Sequence, residues 1–410
     1  MTKNNILMKK GNILEISKLC RIKGSITKKE LAEECGLTIV TVNNLVNELM
    51  EAGLVIEEGI ATSNGGRKAA IFRFNNNKFK ILGTTIRADK IIVSVFNLNL
   101  DLLDSRIHKY LENEYSVSDY LRVIKGLISE IVEENQLKKE EIIGMGVGLP
   151  GIVDYENGVV YQLPNIHCFE NIPFRDMLER ETGYQSYIDN DNNCDLLTLK
   201  WKNVFVEQNK GVAVYLNTNE GIGSGILFNG EIYRGFKGVV GEFGHIMVNS
   251  EGERCECGCN GCLELYASNR AIRKKIQKAL SEGKCRILRE LCEERGSLDF
   301  DVMIESVKKG DGEAAAIFKN AARFLGVGII TVLKTYAPTE IIIENNWLKE
   351  LEDIYSYMLE YVYENVGFFQ RYDLRITLNH IPDMDSISPA TLVLDALFND
   401  AENKVFGSTE

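Results

Sequence analysis

The chain has 410 residues, of which 45% are hydrophobic and 26% charged, as in a soluble globular protein of two or three domains. Its ten cysteines are too sparse for a small disulfide-stabilised secreted protein. The N-terminus lacks the apolar core of a signal peptide, and the apolar runs are shorter than the roughly 20 residues of a membrane span. A cytoplasmic protein is therefore expected.

The charge is distributed unevenly. The net charge of −12 by itself argues against a nucleic-acid partner. Residues 1–74, however, carry 11 Lys and Arg against 8 Asp and Glu, whereas the remaining 336 residues carry 36 against 51. A basic N-terminal segment on an acidic remainder is expected when one end of a protein meets phosphate and the other repels it.

The N-terminal segment has the pattern of three helices. Residues 12–23 place apolar side chains at helical spacing. Thr27 and Glu30 form a capping box that begins a second helix, which ends at Gly36. Thr38 begins a third helix. Two helices joined by a short turn with a glycine are typical of a helix-turn-helix.

The third helix presents a polar face that suits base reading, because asparagine can pair bidentately with adenine in the major groove. Strands over residues 54–56 and 70–74 follow, and the loop between them forms a wing whose basic tip can reach phosphate or a narrow minor groove. The alternative is a small structural module with a solvated polar face. The candidate DNA-contacting residues are Thr38, Thr41, Asn43, Asn44, Asn47, Arg67 and Lys68.

A polar linker, residues 75–79, separates this head from a body over residues 80–410. Strands over residues 81–86 and 91–96 open the body as a hairpin. The Lys- and Glu-rich stretch 271–300 is expected to be a solvated helical insertion without chemistry.

Residues 241–264 contain a histidine and four cysteines: His245, Cys255, Cys257, Cys259 and Cys262. Zinc favours a closed tetrahedron of thiolate sulfur and imidazole nitrogen, and Cys-x-Cys loops turned by glycine bring several ligands onto one ion. The alternative is a loop of unbonded cysteines, which is disfavoured because solvated thiols are reactive.

Two motifs here resemble the zinc signature of the ROK family of repressors, open reading frames and sugar kinases: Gly-Glu-x-Gly-His over 241–245 and Cys-x-Cys-Gly-x-x-Gly-Cys-x-Glu over 255–264. The resemblance implies an α/β protein, with an N-terminal winged helix-turn-helix followed by an actin-like (ribonuclease H-like) two-lobe sugar kinase fold. It leaves Cys259 outside a full, structural metal shell. The implied metal ligands are His245, Cys255, Cys257 and Cys262.

The resemblance also implies a sugar site. Pro150 lies in a glycine-rich segment similar to the family's sugar-facing loop, and Asp191 in the segment that holds the kinase general base. A carboxylate there can accept a proton from a sugar hydroxyl or simply hydrogen-bond it. Mixed donors and acceptors suit a polyol. The implied sugar-binding residues are Pro150, Asn165, Asn190, Asp191, Glu242, His245 and Glu264.

Three nucleotide-binding elements depart from the kinases of this family. Residues 85–90 read Thr-Ile-Arg-Ala-Asp-Lys where the kinases have Asp-x-Gly-Gly-Thr-Lys, so side chains replace glycines and Asp89 would repel phosphate. Asn219 and Glu220 stand where a second loop has Gly-Thr. Residues 344–346 read Glu-Asn-Asn where Gly-Gly contacts the adenosine.

The sequence thus predicts a sugar-responsive, DNA-binding repressor of carbohydrate genes such as those of xylose metabolism, which is not an enzyme and in which Asp191 is a vestigial base. Its expected partners are operator DNA, a sugar effector, structural Zn²⁺ and a second copy, in a homodimer or dimer of dimers. One alternative is an ATP-dependent ROK-type sugar kinase that keeps a DNA-binding head, supported by Asp191 and the Gly-rich loop 221–225. Another is a sugar-binding protein whose head does not bind DNA.

Overall fold

The chain divides into two units, and the first is discontinuous in sequence. It comprises Met1–Thr198 and Asp383–Glu410, whereas the second unit is Leu199–Pro382. The computed structural model describes residues 3–60, 69–111, 115–164, 166–205, 211–367 and 374–399.

The head consists of three helices and a three-stranded antiparallel sheet of order β1-β3-β2. The predicted capping box of Thr27 and Glu30 is present, and Gly36 ends its helix in the left-handed conformation. The first helix begins before residue 12, and Lys9 of its early turns pairs with Glu48 at 2.8 Å. The elements are α1 (Lys3–Lys23), β1 (Ile26–Thr27), α2 (Lys28–Cys35), α3 (Ile39–Glu51), β2 (Val55–Ile60) and β3 (Ala70–Phe74).

The rest of the first unit is built on a five-stranded sheet of order β11-β7-β4-β5-β6. Its central strand β4 is parallel to β7 and antiparallel to β5, and β11 is parallel to β7. The elements are β4 (Lys80–Ile86), β5 (Lys90–Asn97), β6 (Leu102–Lys109), α4 (Val117–Glu134), β7 (Ile142–Leu149), β8 (Ile152–Asp154), β9 (Val159–Gln162), β10 (Glu170–Ile172), α5 (Phe174–Thr182), β11 (Ser186–Asn190) and α6 (Asp191–Trp201).

The second unit repeats this topology, since its sheet has the order β14-β13-β12-β15-β16. In both sheets the first strand is central, its two antiparallel successors lie on one side, and two parallel strands lie on the other. The elements are β12 (Val212–Asn217), β13 (Gly223–Phe228), β14 (Glu231–Ile232), α7 (Glu264–Ala267), α8 (Asn269–Ser281), α9 (Arg286–Arg295), α10 (Phe300–Lys308), α11 (Gly312–Tyr336), β15 (Glu340–Glu344), α12 (Asn346–Glu350), α13 (Glu352–Asn365) and β16 (Arg375–Leu378).

The stretch 271–300 is not a solvated insertion. Ile272 and Ile276 of α8 and Leu288 of α9 are buried in the hydrophobic core of the second unit. The charged residues occupy the outer faces of these helices, so composition alone concealed the apolar stripe. Helix α11 is long and apolar enough to cross a membrane, but half of its most apolar stretch is buried, as in a core helix of a folded domain.

Two C-terminal helices, α14 (Met384–Ile387) and α15 (Ala390–Asn399), return to the first unit. Helix α15 packs against β4 and β7. The approach is so close that a Cβ at Gly146 of β7 would lie 1.7 Å from the carbonyl oxygen of Pro389. Gly146, which belongs to the glycine-rich segment before Pro150, therefore serves packing within a strand.

Gly146→Ala is expected to lower the free energy of unfolding by about 3 kcal/mol, because a methyl group has no room against the backbone of Pro389. Gly126→Ala is the matched control, since Gly126 is exposed within α4 and a Cβ there meets nothing within 4 Å. That change should raise the free energy of unfolding by about 1 kcal/mol. Urea unfolding of the three proteins measures both effects, and equal stability of Gly146→Ala and parent would contradict the packing argument.

Candidate functional sites

Three parallel strands of the first unit bring polar residues to one edge of its sheet. Arg87 follows β4, Pro150 follows β7, and Asp191 follows β11. Ligands of open α/β sheets bind at this carboxyl edge. Asn190 donates a hydrogen bond from its Nδ2 to the carbonyl oxygen of Gly151 at 2.8 Å, which fixes the loop after Pro150. Asn165 lies outside the described residues.

Arg87 is the centre of an ion cluster at this edge. Its guanidinium pairs with Asp191 through one nitrogen and with Asp385 of α14 through the other, the latter at 2.6 Å. Lys90 also approaches Asp385, at 3.4 Å. The side chains of Arg87 and Asp191 are only 22% and 17% exposed, so water screens the pair weakly.

The charges in this cluster support one another. Burial acts to lower the pKa of Arg87, but Asp191 and Asp385 outweigh burial and raise it. Burial raises the pKa of Asp191, and the Arg87 guanidinium opposes that rise. For Asp385 burial again acts upward, yet Arg87 and Lys90 hold its pKa below the ordinary value. Two cations and two carboxylates thus pair at this edge of the sheet.

In the second unit, four side chains gather as a candidate metal site. His245, Cys255, Cys257 and Cys262 each offer a ligand atom, and these four atoms lie within 4.8 Å of one another. The Sγ atoms of Cys257 and Cys262 are 3.6 Å apart, and so are Cys255 Sγ and His245 Nδ1. In a tetrahedral site with metal–ligand bonds of about 2.3 Å, the ligand atoms lie roughly 3.8 Å apart. The spacing of these four atoms therefore suits a single metal ion.

Cys259 contributes its backbone to this loop. Its carbonyl oxygen accepts a hydrogen bond from the N–H of Cys255 at 2.7 Å. Its own N–H donates to the sulfur of Cys257, and this bond lowers the pKa of the Cys257 thiol. Gly261 adopts a positive φ, and a Cβ there would meet the carbonyl oxygen of Asn249 at 1.6 Å. The loop conformation therefore presents the ligands and requires glycine.

Two acidic residues predicted to face a sugar flank the metal cluster. Glu242 Oε2 lies 3.9 Å from His245 Nε2, so the imidazole can bind a metal through Nδ1 while its other nitrogen faces a carboxylate. Glu264 accepts a hydrogen bond from the N–H of Ile222 at 3.0 Å and pairs with Arg270. Glu264 is thus already engaged with the Gly-rich loop.

The carboxyl edge of the second sheet is filled by its own side chains. Asn345 is fully buried, donates to Thr218 Oγ1 at 2.9 Å and accepts from the N–H of Leu348 at 2.7 Å. Glu344 pairs with Lys349 at 2.7 Å. Asn379 donates to the same carboxylate at 2.6 Å. The Glu-Asn-Asn segment therefore makes internal contacts where glycines would leave space for a ligand.

In the head, Lys28 changes the expected role of two asparagines on α3. Asn43, Asn44 and Asn47 are exposed, but Lys28 Nζ donates to Oδ1 of Asn43 at 2.5 Å and of Asn47 at 3.0 Å. Bidentate pairing with adenine needs the amide oxygen as well as the nitrogen. Asn44 is exposed and Lys28 does not bond to it, so it is the asparagine best placed for that contact.

Sequence reasoning missed three residues of this face. Lys28 lies on α2, and only the fold brings it to α3. Ile39 and Val40, at the start of α3, are 51% and 66% exposed and resemble core residues by type.

Thr38, a predicted DNA-contacting residue, caps the helix by accepting from the N–H of Thr41 at 3.2 Å. The predicted wing-tip residues lie outside the described residues: Arg67 and Lys68.

Comparison with known families assigns both parts of the chain. Residues 81–387 match the ROK family, and residues 16–56 match a winged helix-turn-helix DNA-binding domain. A crystal structure described as a ROK family transcriptional regulator, homologous to the Escherichia coli MLC protein, covers 98% of this chain and 99% of its own, with a TM-score of 0.82 and 24% identity. The predicted fold is confirmed.

Relatives and structural neighbours carry two kinds of name. The xylose repressor of Caldicellulosiruptor bescii is 28% identical over 93% of this chain and 94% of its own length. The regulator NagC of Escherichia coli strain K12 is 28% identical over 82% of this chain and 80% of its own. A ROK glucokinase from Streptomyces griseus, solved with glucose and AMPPNP, covers 76% of this chain and 98% of its own, with a TM-score of 0.63 and 23% identity.

Arg87→Met is expected to lower the free energy of unfolding by about 3 kcal/mol, because it leaves the carboxylates of Asp191 and Asp385 close together with one cation removed. The control is Arg122→Met on α4 of the same unit, where the side chain of Arg122 is 77% exposed and pairs with Asp119. Surface ion pairs contribute little, so this loss should be much smaller. Equal losses in urea unfolding would contradict the importance of the cluster.

Proposed function

Since the chain belongs to the ROK family and carries a winged helix-turn-helix head, we propose that it is a sugar-responsive DNA-binding repressor, released from its operator when the sugar binds. The observation that carries the proposal is the Arg87–Asp191 ion pair in a protein with such a head. Asp191, which matches the general base of the family's kinases, is here paired with a cation of the same protein, Arg87. Relatives named xylose repressor and N-acetylglucosamine repressor support this proposal.

A sugar kinase is the second candidate, favoured by the fold it shares with a ROK glucokinase. Against it, a general base must take up the proton of the substrate hydroxyl, and the Arg87 guanidinium favours the ionised form of Asp191 over the protonated form. The paired carboxylate can still accept a hydrogen bond from a sugar hydroxyl. Glu344 and Asn345, with their internal partners, occupy the segment where kinases of this family have glycines. We therefore infer that the protein is not an enzyme.

We propose that the sugar binds within a body over residues 80–410, which a linker over residues 75–79 joins to the head. Hydroxyl groups need both donors and acceptors, which amide, imidazole and carboxylate side chains supply. Asn190 and Asp191 lie at the carboxyl edge of the first sheet, and Glu242 lies beside His245. The proposed contacts are Pro150, Asn165, Asn190, Asp191, Glu242, His245 and Glu264.

For DNA, we propose that residues 1–74 form the reading head, with α3 in the major groove. Asn44 is assigned to a base, and Lys28 holds Asn43 and Asn47 so that only their amide nitrogens remain free to donate. Two heads reading two half-sites require at least a homodimer. The remaining proposed contacts are Thr38, Thr41, Arg67 and Lys68. A repressor with these partners works in the cytoplasm.

For the metal, we propose a structural Zn²⁺ on His245, Cys255, Cys257 and Cys262. One nitrogen and three sulfurs within 4.8 Å match the ligand types and size of a closed tetrahedral zinc site. Four protein ligands leave no position for a substrate or reactive water. The ion would cross-link the loop that also carries Glu242.

Titration of the full chain onto a duplex selected from random DNA tests the function. D-xylose, the sugar in the names of several relatives, is expected to weaken that binding at least about fivefold, the lower end of typical couplings between two sites. Sugar-dependent ADP release should stay at background. Robust ADP release that Asp191→Asn abolishes would instead establish the kinase.

Asn44→Ala tests the proposed DNA contact of the head. It should weaken binding to the selected duplex roughly tenfold, since a bidentate base contact contributes about 1–3 kcal/mol. Sugar affinity, measured by calorimetry, should not change. Unaltered DNA affinity would exclude Asn44 from base contact.

Cys257→Ser is expected to lose the bound zinc, measured as metal per chain by plasma mass spectrometry, because it removes one of four ligands. The sugar response should be lost with it. Cys259→Ser, an equal change two residues away, should keep about one zinc per chain and respond normally. A Cys257→Ser protein that releases DNA normally would refute the link between metal and sugar.

A further inference from the structure

Three residues of the β4–β5 hairpin hold one residue of the C-terminal segment. Thr85 Oγ1 donates to the backbone carbonyl oxygen of Asp385. Arg87 and Lys90 pair with the two oxygens of its carboxylate, at 2.6 and 3.4 Å. This hairpin aligns with the one that holds ATP phosphates in the kinases the sequence resembles. In this protein its hydroxyl is directed at the backbone carbonyl of Asp385, and its two cations at the carboxylate of the same residue.

The residue held in this way lies in the short helix that precedes the last described helix. Asp385 belongs to α14, and after Ser388 and Pro389 the chain continues as α15. Ser388 is buried and hydrogen-bonded to Thr198 of α6 at 3.2 Å, so the connection is ordered on both sides. Any displacement of Asp385 therefore reaches the start of α15 within a few residues.

Helix α15 in turn contacts the head. Lys18 of α1 donates to Asn399 Oδ1 at 2.7 Å. The rings of Phe74, at the end of β3, and Phe398 are 5.4 Å apart, and both side chains are buried. A buried aromatic pair is a close-packed contact, so the head and α15 do not move independently at this point.

We propose that Asp385 is an internal anion that takes the place of nucleotide phosphate on the β4–β5 hairpin, and that Arg87 makes it the link through which a sugar at Asp191 acts on the head. The sugar half of this inference rests on the proposed function. The anchoring of α15 by Asp385 does not. Arg87 divides its guanidinium between two carboxylates, so a ligand hydroxyl that bonds to Asp191 changes the balance of those two contacts.

The cluster can respond to a neutral ligand because both carboxylates keep a cationic partner. Arg87 pairs with Asp191 and Asp385, and Lys90 also pairs with Asp385, so an uncharged polyol can exchange hydrogen bonds here without adding a charge. A sugar shifts the head only to the extent that it binds one arrangement of the cluster more tightly than the other. Asp385 itself touches the hairpin and need not touch the sugar.

Asp385→Asn in the full chain tests the link, with Asp383→Asn as the matched control. Asp383 is exposed and has a positive φ, which asparagine accepts. In unliganded protein, amide hydrogen exchange over residues 390–399 and 3–23 should be roughly tenfold faster in Asp385→Asn than in parent, as for local opening of a helix that has lost its anchor. Asp383→Asn should match the parent.

The second measurement is the change in affinity for the selected DNA duplex when D-xylose or N-acetylglucosamine is added. Parent and Asp383→Asn should show at least about fivefold release, and Asp385→Asn less than about twofold. Lys90→Met, which removes only the 3.4 Å contact, should lie between them and serves if Asp385→Asn does not fold.

The outcomes separate the two ideas. Unchanged exchange over residues 390–399 in Asp385→Asn, or sugar release equal to that of the parent, overturns the link. If neither sugar releases the parent protein from DNA, the proposed sugar response fails, and the exchange comparison alone judges the anchoring of α15 by Asp385.

Discussion

The guanidinium of Arg87 is the constraint on which the first unit depends. A cation with so little exposure must have anionic partners, because an unpaired charge there would cost several kcal/mol. Its partners come from two distant parts of the chain, Asp191 and Asp385, and their meeting point is the carboxyl edge of the sheet. The second unit follows the same rule at the same edge, where Lys349 and Asn379 satisfy Glu344. In both units the charged groups at the carboxyl edge of the sheet are thus satisfied by the protein's own polar contacts.

Local signals made much of this architecture predictable. The capping box of Thr27 and the cap at Thr38 depend on residues three positions apart, so spacing alone located the starts of two helices. The metal cluster was equally accessible, because its ligands lie within one short loop and their chemistry is distinctive. The kinase-like α/β fold followed from the family resemblance and is confirmed, whereas the strand order shared by the two sheets is seen only in the structure.

What the sequence did not reveal depends on contacts between distant segments. Arg87 and Asp385 are 298 residues apart, and nothing in either neighbourhood indicates the other. Gly146 looked like part of a ligand loop because the close approach of Pro389 is visible only in the folded chain. Lys28 was an ordinary surface lysine until the fold placed it against Asn43 and Asn47. In each case the partner, not the residue type, determines the role.

The discontinuity of the first unit bears on the order in which the protein can fold during synthesis. Leu199–Pro382 is continuous and leaves the ribosome as a whole, so it can fold while translation proceeds. Met1–Thr198 is made earlier but lacks α15 until the whole of Leu199–Pro382 has also been translated. Until then the face of β4 and β7 that α15 covers stays uncovered, and Phe74 has no Phe398 to pack against. The segment translated first is therefore completed last, and a nascent chain exposes its DNA-binding end before that end has its final support.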